Sequence, residues 1–248
     1  MPNWCENTFT IEGPSILVQS FVNNLQESEN SGELMLTSAL PMPEVLRGTR
    51  SPVPSGEFDP EGKFMEYVLD DENTYWTSEH YADEEAEHYA LVEQSERAKA
   101  ETGYDNWYDW AMDNWGTKWD VGVTPPAWDP SEGDTSTVTF WGESAWSPPI
   151  SLLANLSNKY PQLTFSVSYY EPGMDYIGAA VFQDGRMAES EGNFSEHLPW
   201  DAYSQSEDAY EAMYGDGIVH DVRDNQLAVH LANAEAMLHS EELVTGHR

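Results

Sequence analysis

Between Thr137 and Gln183 the sequence changes period three times, and the order of those changes leaves few folds open. "TVTFWG" alternates, with Val138 and Phe140 on one side and Thr139 and Trp141 on the other, as a half-buried strand does. "SPPISLLANLSNKYP" then turns helical, with Ser147 expected at the N-cap, prolines in the first turn and Leu152, Leu153 and Leu156 as its buried face. "LTFSVSYY" alternates again through Leu163, Phe165, Val167 and Tyr169; Glu171-Pro172-Gly173 makes a turn, and Tyr176 to Gln183 returns as a further strand. The N-terminus repeats the first half of this pattern. Cys5, Asn7, Phe9 and Ile11 alternate with polar neighbours, Gly13-Pro14-Ser15 breaks the strand, and Leu17, Phe21 and Leu25 form an amphipathic stripe.

With Trp119 to Val123 as a second strand, the order becomes βαββαβ with one extra hairpin strand. This predicts an α+β, ferredoxin-like fold: an antiparallel sheet, strands near 4–11, 137–142, 163–170 and 176–183, and helices near 15–26 and 148–157 on one face. The domain spans 1–189 and is interrupted by an acidic helical insertion at about 48–113; residues 190–248 form an acidic extension ending in an amphipathic helix. Within the insertion, "RSPVPSGEFDPEG" reads as a loop and residues 77–101 as a surface helix. A second helix follows, with Tyr104, Trp107, Trp110 and Ala111 at helical spacing, and Gly116 ends it. In the extension, Leu227, Leu231, Ala234 and Leu238 mark the final helix.

Charge restricts the partners. The 248 residues carry 45 Asp and Glu against 10 Lys and Arg, a formal charge of −35, while 40% apolar and 12% aromatic residues supply a core. Residues 57–101 carry −12 and residues 184–248 carry −11, whereas 137–183 carry only −2. Nucleic acid and anionic lipid are repelled by such a field, and no direct nucleic-acid binding is expected. The first residues lack the basic and apolar regions of a secretory signal, and no apolar run is long enough to span a membrane, so the expected location is the cytoplasm.

"MPNWCEN.F.I.GP", "LPMPEVL", "NWGTKWD", "FWGESAWSPP" and "YPQLTFSVSYYEPGMDYIG" together resemble the YubB-like proteins of plasmids and bacteriophages, described as a ferredoxin-like domain of unknown function. The ordered motifs run from residue 1 to about 185. The resemblance implies a ferredoxin-like core and a mobile-element origin, hence a host-cell cytoplasm, and it carries no catalytic residues.

Chemistry is sparse. No Gly-rich phosphate loop or nucleophile elbow is present. His80, Glu84 and His88 follow at four-residue steps, but the two histidines stand about 12 Å apart along a helix, too far to share an ion. "DPSEGDTSTVTF" lacks the Gly and the bidentate Glu of a calcium loop. Cys5 lies inside a strand with no adjacent base and reads as an inert thiol; His220 beside Asp221 and Asp224 forms no recognisable dyad. No enzyme, metal or cofactor is expected. Two acidic strips remain as candidate partner-binding surfaces. The insertion supplies Asp83, Glu84, Glu87, Glu93, Glu96 and Glu101, and the extension supplies Glu207, Asp208, Glu211, Asp216, Asp221 and Asp224. Such strips can imitate DNA phosphates and occupy the basic DNA-binding surface of a host protein, such as a restriction or other defence nuclease. The alternative is a small-molecule module with an aromatic pocket of Trp115, Trp119, Trp141, Trp146 and Tyr176.

Overall fold

The computed structural model describes residues 3–28, 31–53, 56–58, 64–69, 75–78, 85–126, 133–197 and 218–245. The chain divides into two compact units, residues 1–40 with 114–248, and residues 41–113. In chain order the elements are β1 (Trp4–Pro14), α1 (Ser15–Asn23), β2 (Gln26–Glu27), β3 (Leu34–Met35), β4 (Gly56–Phe58), β5 (Phe64–Leu69) and β6 (Tyr75–Ser78). There follow α2 (Glu85–Thr102), α3 (Trp107–Trp115), β7 (Gly122–Val123), β8 (Thr135–Ala145), α4 (Ile150–Lys159), β9 (Thr164–Glu171), β10 (Tyr176–Gln183), β11 (Arg186–Asn193) and α5 (Ile218–Thr245).

The first unit is built on one sheet in the order β11-β10-β9-β1-β8-β7-β3-β2, antiparallel at every pairing. Its middle strands β9, β1, β8 and β7, joined through α1 and α4, make the βαββαβ unit, and the fold is ferredoxin-like. Register carries the alternation across the sheet: Phe9 stands opposite Phe140 and Val167, and Ile11 opposite Val138 and Phe165. All six side chains are buried. Phe21 of α1 meets Phe165 edge-on at 5.6 Å, and Tyr160, just beyond α4, meets Phe21 at 5.3 Å, so both helices cover this face as the pattern predicts.

The opposite face holds a layer that the apolar pattern only hinted at. Strand β10 is buried at every position from Ile177 to Phe182, which a strand with one wet face cannot be. Its second cover is α5. Ala234 and Leu238, with Leu231 beside them, close over Val181 and Ala188. Arg223 of α5 reaches Glu6 at 3.2 Å, and Ser190 of β11 meets His230 Nδ1 at 2.9 Å. Over β1 and β8 this face stays polar, with Thr8, Thr137, Thr139, Trp141 and Glu143 exposed.

Several boundaries differ from expectation for identifiable reasons. Strand β11 reads as irregular acidic chain because "RMAESEGN" has little apolar content. Its pairing comes from a two-residue hairpin at Asp184-Gly185, with φ of 49° and 73° and Gln183 opposite Arg186, the left-handed geometry that favours Asp-Gly. Ser147 does not cap α4: its hydroxyl donates to the Gly116 carbonyl at 3.0 Å, and the helix starts at Ile150 behind Pro149. The second strand shortens from Trp119–Val123 to Gly122–Val123; just before it the Val121 carbonyl accepts from Leu36 N–H and the Asp120 carboxylate from the Thr37 hydroxyl.

In the second unit the order β4-β5-β6 forms a three-stranded antiparallel sheet where a loop and the start of a helix are predicted. Aromatic and β-branched residues at Tyr67, Val68, Tyr75, Trp76 and Thr77 favour strands, so α2 begins at Glu85 instead of residue 77. The helix α3 ends at Trp115, and Gly116 at φ 78° terminates it as expected.

Docking of α5 is expected to depend on pH through His230. The residue is 8% exposed, with the His197 ring 6.3 Å away. Burial, then His197, holds its pKa below the ordinary histidine value, against the opposing pull of Glu191. A histidine with a depressed folded pKa takes up its proton more readily when unfolded. Its stabilising contribution is present above the unfolded value of about 6.5 and is lost as pH falls below it. Thermal midpoints from pH 7.5 to 5 should therefore fall more steeply for the wild type than for His230→Leu. Parallel profiles would show that His230 does not carry the effect.

Candidate functional site

Where α4 begins, its first turn, the β9–β10 turn and the middle of β11 surround a hollow of about 710 Å³. Trp146, Pro148, Ile150, Tyr169, Met174 and Tyr176 form its walls, and Glu189 and Glu191 bring in charge. Among the described residues, no Lys, Arg or His lines it. The alternation of the strands places these groups together. Tyr169 stands opposite Gly178, Gly178 opposite Glu191, and Glu189 two residues along β11 points to the same face. Gly178 makes room for the phenol, because a Cβ there would lie 2.5 Å from the Tyr169 hydroxyl.

Hydrogen bonds hold the lining in place. The Tyr169 hydroxyl donates to Glu189 at 2.7 Å, with Glu191 at 3.5 Å. Burial and then Glu189 raise the Tyr169 pKa far above that of a free phenol, so it remains a donor at neutral pH. Tyr176, edge-on to Tyr169 at 5.9 Å, donates to the Trp146 carbonyl at 2.5 Å. The Trp146 N–H is bound by the Asn3 carbonyl at 3.0 Å. The backbone of Trp146 is thus fixed at both ends in a left-handed conformation, φ 72°, while the residue stays 44% exposed. Beneath the turn, the buried Glu171 carboxylate accepts from Gly173 N–H at 3.0 Å and Met174 N–H at 2.5 Å.

The five expected pocket aromatics are divided. Trp146 and Tyr176 line the hollow. Trp115 is buried and donates Nε1–H to the Leu40 carbonyl at 2.9 Å. Trp119 is exposed, with Trp4 at 5.8 Å and the Lys118 ammonium 4.1 Å from its ring centre. Trp141 is half-exposed on the opposite sheet face, since its place in β8 alternates with the buried Phe140. Tyr169, Glu189 and Glu191 were missed as site residues. Tyr169 reads as core, and the carboxylates lie in a strand whose register only pairing with β10 reveals.

Cys5 lies near this end of the sheet but is buried, and burial pushes its thiol up to about 12, which leaves almost no thiolate at neutral pH. Of the candidate acidic strips, Glu93, Glu96 and Glu101 are exposed on α2, and Asp221 and Asp224 on α5, where Asp224 meets Arg223 at 3.2 Å. Glu87 belongs to α2. Asp83, Glu84, Glu207, Asp208, Glu211 and Asp216 lie outside the described residues. Among the described residues no group of three His, Cys, Asp or Glu is placed to hold a metal ion, and no helix is long and apolar enough to cross a membrane.

The match to a family model agrees with the ferredoxin-like fold. No curated protein matches the chain. A solved structure, the protein api92 from Yersinia pseudotuberculosis, aligns over 78% of this chain and 98% of its own, at 13% identity and a TM-score of 0.38. Residues 126–214 match the family model described as the ferredoxin-like domain in Api92-like protein. That match takes in β8, α4 and β9 to β11, so the segment that carries most of the hollow is similar to the ferredoxin-like domain of Api92-like protein.

Proposed function

We propose that the protein is a non-enzymatic, acidic binding protein that occupies the basic DNA-binding surface of another protein. The observation that carries this reading is the excess of 45 acidic over 10 basic residues. Even full internal pairing leaves most carboxylates without a cation from the chain. Their spacing supports phosphate imitation. Residues three apart on a helix, such as Glu93 and Glu96 or Asp221 and Asp224, rise about 4.5 Å along the axis, near the roughly 3.4 Å of axis per phosphate along one strand of duplex DNA. The resemblance to YubB-like proteins of plasmids and bacteriophages adds a context in which blocking a host defence nuclease benefits the element. The partner is then a host protein in the cytoplasm, and no nucleic acid is bound directly.

The test is competition. A partner captured from host lysate should be displaced by duplex DNA and released by raised salt, since exposed charges are screened beyond about 8 Å at physiological ionic strength. Glu93→Gln with Glu96→Gln, or Asp221→Asn with Asp224→Asn, should weaken capture about tenfold, mainly through slower association, while the fold is kept. A partner held equally by both variants and untouched by DNA would overturn the reading, as would a gel shift with DNA at micromolar protein.

A further inference from the structure

We propose that the hollow beside Trp146 is a binding site for an organic cation, with the guanidinium of arginine as the favoured chemistry. Two carboxylates face a cavity that no basic side chain lines among the described residues, and the Tyr169 hydroxyl reaches both of them, at 2.7 and 3.5 Å. The first turn of α4 also lines the hollow, but a helix N-terminus contributes only about half a positive charge, less than the two carboxylates supply. The walls are aromatic. Trp146 offers an indole face on a backbone pinned by Asn3 and Tyr176, and Tyr176 and Met174 continue the apolar surface. A planar cation can stack on the indole while its N–H groups fork onto Glu189 and Glu191, a geometry that a compact ammonium satisfies less fully.

This inference extends the proposed function without depending on it. Glu189 and Glu191 lie on the sheet face covered by α4, whereas Asp221 and Asp224 lie on α5 against the other face. Substitutions in the acidic strips therefore leave the hollow intact, and substitutions in the hollow leave the strips intact.

The site is tested by calorimetric titration of the full chain with Nα-acetyl-arginine methylamide and with the citrulline analogue, which has nearly the same shape and no charge. Arginine should bind about tenfold or more tightly than citrulline, as expected of charge-assisted hydrogen bonds. Glu189→Gln and Glu191→Gln should each remove about tenfold of that affinity, and Gln at 189 keeps an oxygen for the Tyr169 hydroxyl. Trp146→Gly suits the left-handed backbone and should weaken binding severalfold. A second arm places the arginine inside a glycine-flanked pentapeptide. Binding as tight as that of the capped residue points to a protein side chain as the source, and exclusion of the peptide points to a free small molecule; either keeps the cation site. Equal binding of citrulline, unchanged affinity in both Gln variants, or no saturable binding up to about 10 mM would overturn it. The arginine–citrulline comparison uses the wild type, so the test survives a variant that fails to fold.

Discussion

Phe165→Ala is expected to lower the unfolding free energy by about 3–5 kcal/mol, the range for removing a fully buried aromatic ring. Phe165 is 0% exposed and stands where the two covering helices converge, with Phe21 at 5.6 Å and Tyr160 at 6.5 Å. It also pairs with Ile11 on β1 and Phe182 on β10, so the cavity would open at the centre of the βαββαβ unit, where neighbours on three sides resist collapse. Urea unfolding followed by circular dichroism measures the change. A loss below about 1 kcal/mol would mean that the core repacks freely and that the helices do not converge there.

Ala234→Asp should have a comparable but local effect. Ala234 is 0% exposed and faces Val181 and Ala188 across the α5 interface. A carboxylate there has no cation of the cluster to pair with, and burying it unpaired costs several kcal/mol, enough to release the helix from the sheet. Hydrogen exchange should then rise through α5 and in β10 and β11, while β1 and β8 keep the protection provided by α1 and α4. Uniform loss of protection would show instead that α5 is an inseparable part of the core, and unchanged exchange would place Ala234 outside the interface.

Among the site groups, Trp146 and Tyr176 were legible because aromatics stand out in any chain, although the same reading gathered Trp115, Trp119 and Trp141 into one pocket. Parity along β8 separates them. Trp141 follows a buried Phe140 and must point away, and this was already visible in the alternation of "TVTFWG". Glu189 and Glu191 could not be selected, since in a chain with 45 acidic residues a carboxylate carries no signal by itself. Asp184-Gly185 was the available clue, because that dipeptide after a strand fixes the register of the next one.

Periodicity alone determined the βαββαβ order, the shared face of α1 and α4, and the apolar partners within each strand, because these follow from local alternation and from where turn residues interrupt it. Composition alone determined the sign of the net charge, 45 acidic against 10 basic residues. Tertiary structure decided that β10 is covered on both faces, that α5 supplies the second cover, and that Tyr169 shares two carboxylates from a strand twenty residues away. Those relations depend on which strands become neighbours. Pairing across a sheet joins residues distant in the chain, and no local period encodes that distance.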